Sequence, residues 1–232
     1  MDANSASAPL APLSSVVMFK KNEMKCFARW RETKEGLCFR DQTILQFGDS
    51  WDLIANFILL NPGSAVPIDR IPQNEYLKSK RLPFYIDENG EYYRFTIDRL
   101  MNDLLKLYST KFGGGVIKIY NLFNLKNQNS GNAIEQYKQY KLHPFIHTKK
   151  SEIKYGNAPV VIATGSNIHM DRGLKEELKK YIALANQAQL YALVRHRDKT
   201  FAIKKVQPDD TGIIESYHPS YTFKYGNTTK FI

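Results

Sequence analysis

The chain has 232 residues, 43% of them apolar, and a formal net charge of +10. That length suits one domain, or one domain with appendages, and that apolar share suffices for a real core. Two cysteines are too few for a disulfide framework or a cysteine metal cluster, and a reduced, cytoplasmic setting is their simplest reading. No apolar run approaches membrane-spanning length. Acidic and basic side chains balance over residues 1–60, so the whole excess lies in residues 61–232. A basic body of that kind points to a polyanion, nucleic acid or an anionic membrane.

The first fifteen residues, rich in Ala, Ser and Pro, read as a disordered leader without the basic and apolar regions of a secretory signal. Residues 16–232 read as a single domain. Over 16–50 the pieces VVMFKK, KCFARWRE, GLCFRD and TILQFG suggest short strands, an antiparallel edge or hairpin before the main sheet. An α/β core follows over 51–232. WDLIANFILL is an apolar run closed by Asn61-Pro62-Gly63, the pattern of a buried central strand. Residues 66–93 are polar and irregular, long for a plain connection, so functional or flexible. Helical spacing of Ile97, Leu100, Met101, Leu104, Leu105 and Tyr108 marks a helix that Gly113 to Gly115 stop. VIKIYNLFNL and PVVIATG read as further strands, with a helix from Ala133 to Lys141 between them. GLKEELKKYIALANQA is an amphipathic helix, and LYALVR and FAIKKV are short strands before YHPSYT. Strand and helix alternate, which predicts an α/β fold with a mostly parallel sheet.

In such a sheet, working residues stand just past the carboxyl ends of strands. Asn61-Pro62-Gly63, Asn121, Gly165 and His218-Pro219-Ser220 fall there. Each is weak alone, since NPG is a common turn and a lone His is more often structural. Their order, with apolar strands before most of them, raises them together.

FILLNPGSA resembles the first motif of the uracil-DNA glycosylase superfamily, in the Asn-Pro-Gly form of its thymine/mismatch branch. YHPSYT resembles the last motif, VIKIYNLFNL the strand whose terminal Asn reads the flipped base, and VVIATG the strand before the last motif. The chain also resembles a related family with an LNP-S/G-A motif, an NLF motif and a late His-Pro. The resemblance spans about residues 50–225. It implies a three-layer α/β/α sandwich with a short, mostly parallel central sheet, and hydrolysis of an N-glycosidic bond in DNA. Asn61 and His218 would be catalytic, one holding water and the other donating to the base oxygen. Asn121 would read the base edge. Ser64, Gly165, Ser166 and Ser220 would hold flanking phosphates, and Tyr221 or Phe223 would fill the vacated stack.

Departures from the uracil-specific branch matter. Asn61 stands for its Asp. Gly63 stands for the Tyr that blocks pyrimidine C5, and is expected to leave open space there. Cytosine carrying hydroxymethyl or glucosyl groups, as in some phage DNA, is then a candidate substrate, which would place the enzyme in antiphage defence. Tyr76, Phe84 and Tyr85 are candidates to stack on the flipped base. Arg195 and Arg197, with His196 and the nearby lysines, form a basic cluster that could track a strand. His143 and His147 have metal-binding spacing, but Pro144 spoils the helix and no third ligand is apparent. The expectation is a monomer acting on modified-base DNA without cofactor, metal or membrane. Its rivals are a non-catalytic DNA-binding protein and a hydrolase of free nucleosides or nucleotides.

Overall fold

Alternation along residues 24–47 and the apolar runs downstream build strands that all join one sheet. The computed structural model describes residues 24–71, 75–86, 90–185, 189–224 and 229–231; the leader and the VVMFKK segment lie outside them. In chain order the elements are β1 (Met24–Glu32), β2 (Cys38–Phe47), β3 (Leu53–Leu59), β4 (Pro67–Arg70), α1 (Glu75–Ser79), β5 (Glu91–Phe95) and α2 (Arg99–Ser109). There follow β6 (Gly115–Asn121), α3 (Ser130–Tyr140), β7 (Val160–Ile162), α4 (Arg172–Leu184), β8 (Leu190–Arg195), β9 (Phe201–Lys205), α5 (Pro219–Lys224) and β10 (Thr229–Phe231). Among the described residues the sheet has ten strands in the order β10-β9-β8-β7-β3-β6-β2-β1-β5-β4.

The α/β class holds, but the sheet is long and mixed rather than short and mostly parallel. Its four central strands, β6-β3-β7-β8, are parallel, and β10 joins β9 in parallel. The pairings β1–β2, β1–β5, β2–β6, β4–β5 and β8–β9 are antiparallel. Tight connections contribute to this. Strands joined by a short turn must reverse, whereas parallel neighbours need a long crossover. The GLCFRD and TILQFG pieces are one strand, β2, kinked where Gln42 takes a φ of 51° and the register with β1 slips between Phe27 and Arg29. That bulge lets β2 carry on into the sheet, so residues 24–47 lie within it rather than before it. The described residues of the 66–93 segment supply β4, α1 and the start of β5.

The two faces carry different helices. Ala55, Phe57, Leu59, Ile117 and Ile119 face α2, which buries Met101, Leu104, Leu105 and Tyr108 against them. Ile58, Leu60, Tyr120 and Ile162 face the other way, onto α3 and α4, through Ile134, Tyr137, Leu174, Leu178 and Tyr181. Period-two alternation in the strands produces this division, because successive side chains point to opposite faces. Each large apolar side chain so buried contributes about 1.5–3 kcal/mol. On the same face as α4 a charged group is also buried. Arg29 lies between Asp41 and Glu152, with Nη2 2.7 Å and 2.6 Å from their carboxylates. Lys118 is wholly buried beside them and donates to the Phe84 carbonyl. Burial lowers the Lys118 pKa from 10.5 to about 7, while Asp41 holds it up. No helix among the described residues is long and apolar enough to cross a membrane.

Candidate active-site cleft

A cleft of about 720 Å³ opens where the carboxyl ends of β3 and β7 meet the first turn of α2 and the 218–221 segment. Asn61, Gly63, Ser64, Gly165, Ser166, His218, Ser220 and Tyr221 all line it. The first and last motifs, far apart in the chain, therefore share one cleft. The parallel order β3-β7 makes this possible, because the two strands end on the same side of the sheet.

Asn61 follows the end of β3, and its amide is fixed from one side. Nδ2 donates to the carbonyls of Pro62 and Asn127, each at 2.9 Å. Both amide hydrogens are thereby used, and Oδ1 is left as an acceptor. His218 is fixed at its other ring nitrogen. Nδ1 lies 2.9 Å from Ser220 Oγ and accepts from the Ser220 backbone N–H at 3.3 Å. Nε2 is then the nitrogen that carries the proton in the neutral ring. Burial lowers the His218 pKa to about 4, against an opposing pull from the Asp98 charge. The segment before it is tied down as well. Tyr217 N–H donates to Leu193 O at 2.7 Å, and Thr164 N–H donates to Ser216 Oγ at 3.1 Å. Gly165, with φ of 77°, makes the close approach of the β7 end to His218 possible.

Other expected residues stand elsewhere or act differently. Asn121 is buried at the end of β6, where its carbonyl accepts from Tyr181 Oη at 3.0 Å, and it does not line the cleft. Asn127 and Gln128 form the wall beside Asn61 instead. The space beside Gly63 is not open. A Cβ there would stand 3.0 Å from Asp98 Oδ2. Tyr76 and Phe84 are not cleft aromatics. Tyr76 packs on Phe27 and Trp51, and Phe84 is buried in the same cluster, on the sheet face opposite α2. Tyr85 packs on Tyr92. Tyr221 is the one Tyr, Phe or Trp lining the cleft among the described residues. The side chain of Phe223 lies outside the described residues.

Arg195 and Arg197 are exposed at the end of β8 and do not line the cleft. Arg195 lies over the Phe201 ring, Phe201 meets Tyr217, and Tyr217 meets Tyr221, so ring contacts run from the basic hairpin to the cleft rim. His143 stacks on Phe39, and His147 Nδ1 lies 2.7 Å from Leu122 O. No group of three or more His, Cys, Asp or Glu among the described residues is placed to hold a metal ion.

Asp98 and Asp103, the two acids lining the cleft among the described residues, belong to none of the sequence motifs. Asp98 caps α2, accepting from Met101 N–H at 2.9 Å. The signal was present, an Asp just before an apolar-periodic run, but it announces a helix start and not a site. No family model, curated protein or solved structure matches the chain.

Proposed function

We propose that the chain is a monofunctional DNA glycosylase of the uracil-DNA glycosylase superfamily, hydrolysing the N-glycosidic bond of a flipped, modified or damaged pyrimidine. The observation that carries this reading is the pairing of Asn61 and His218 on one cleft, one presenting an acceptor and the other a neutral N–H. Cleavage of the bond leaves a cationic sugar and an anionic base. Asn61 Oδ1 suits a water aimed at the sugar, and His218 Nε2–H suits the charge growing on the base oxygen. Helices on both faces of the parallel strands fit the three-layer sandwich of that superfamily, with the antiparallel strands as flanks. A cleft of about 720 Å³ leaves room for a base larger than a bare pyrimidine. The ring contacts from Tyr221 to Arg195 offer a path for the flanking strand.

The test is a panel of single- and double-stranded DNAs carrying uracil, thymine mismatches or C5-modified cytosines, treated with the protein and then with alkali. Strand breaks at one of these bases, with DNA affinity that falls steeply with salt, are the expected result. Tight binding without breaks would favour a non-catalytic DNA-binding protein. Salt-insensitive cleavage of monomers would favour a nucleoside hydrolase.

A further inference from the structure

We infer that Asp98 is the catalytic carboxylate of this cleft, taking a proton from the attacking water; the inference rests on the glycosylase reading. Asn61 cannot act as a strong base, so a carboxylate taking the water's proton would come from another residue. Of the two acids lining the cleft, Asp103 lies 3.8 Å from Arg99, within reach of an ion pair. Asp98 is held by its helix. Oδ1 accepts from Met101 N–H, which fixes the carboxylate, and Oδ2 projects to within 3.0 Å of where a Cβ on Gly63 would stand. Gly63 follows Asn61 by two residues, so this oxygen lies beside the first motif. The Asp98 charge also reaches His218, whose pKa it raises against burial. Asp98 thus lines the same cleft as both motifs and lies beside the first, and glycine at 63 keeps a side chain from covering it.

In the reaction, the C1′–N bond breaks and its electron pair leaves with the base. Water forms the C1′–O bond and its proton passes to Asp98. Asp98 then returns that proton to the departed base or to solvent, and the balance is one water consumed for one free base and one abasic site. The carboxylate also faces the positive charge that grows on the sugar, where it is stabilising.

Asp98→Asn tests this, because Asn caps a helix as well as Asp does. We expect single-turnover excision to fall on the order of a hundredfold or more, with DNA affinity and thermal unfolding close to wild type. Asp98→Ser keeps a capping oxygen and leaves space, so added formate should restore part of the lost rate, which a purely structural role would not allow. Wild-type rate in Asp98→Asn, in an assay where Asn61→Ala and His218→Ala are slow, would overturn the inference and leave the glycosylase reading intact. Loss of rate in Asp98→Ser without any formate rescue would also overturn it. Absence of abasic product from the wild type across the whole panel would overturn both.

Discussion

Gly165 lies against His218, so closely that a Cβ on it would stand 3.1 Å from the His218 Cβ. Its φ of 77° adds a second reason for glycine there. Gly165→Ala should therefore push His218 out of place and strain the backbone, at about 1–3 kcal/mol of stability. Chemical denaturation and single-turnover excision should both register the change. Stability and rate equal to wild type would mean that the 165–218 approach has slack.

His218→Ala should slow excision on the order of a hundredfold or more, as for loss of one transition-state donor. Asn61→Ala should slow it as well, and both variants should still bind DNA. The pH dependence has a definite sign. Because folding lowers the His218 pKa from 6.5 to about 4, the unfolded chain binds a proton between those values that the folded chain does not. This group therefore makes stability rise with pH from about 4 to 6.5 and flatten above. Removing His218 should flatten that part of the curve. An unchanged slope in His218→Ala would show that the ring is not so enclosed.

Gly63→Ala should displace the Asp98 carboxylate and weaken the α2 cap, at about 1 kcal/mol. Because the space beside Gly63 faces Asp98, larger side chains there should slow excision of substituted and unsubstituted pyrimidines alike. Selective loss on C5-substituted bases would instead place the C5 group against residue 63.

The strands of the site were legible because apolar runs stop at turns. FILLNPG and VVIATG each show where a buried strand ends, and local composition suffices for that. Which strand pairs with which is not local, so β1 and β2 read as an antiparallel edge or hairpin before the main sheet although β2 joins β6 within it. Tyr76 and Phe84 read as available for stacking because they follow the first motif in the chain. The connection from β4 to β5 carries them to the other sheet face, and no periodicity reports that. Asp98 was hidden for a related reason, since its cap is a local feature and its approach to Gly63 is a tertiary one.

Lys118 gives a prediction at the other end of the pH scale. Folding lowers its pKa from 10.5 to about 7, so the unfolded chain binds the extra proton between those values. Stability should rise with pH across that window, and Lys118→Met should remove that rise. Urea denaturation at about pH 7 and about pH 9.5 reads the difference in slope. An equal slope in the variant would mean that Lys118 keeps its ordinary proton affinity in the folded chain.

Arg29 meets Asp41 across the first hairpin and Glu152 from the distant 3-10 turn Lys150–Glu152, and Gln42 Nε2 donates to the Glu152 carbonyl at 3.1 Å. Moving β1 by one residue along β2 would carry Arg29 to the opposite sheet face and leave two carboxylates in the interior without it. Breaking such a buried pair costs about 3–5 kcal/mol. A slipped hairpin is thus penalised twice, once for misplaced apolar side chains and again for stranded charge. In the folded chain the Arg29 cluster thus favours one alignment of the first two strands over its neighbours, a preference completed only when Glu152, 123 residues along the chain, is in place.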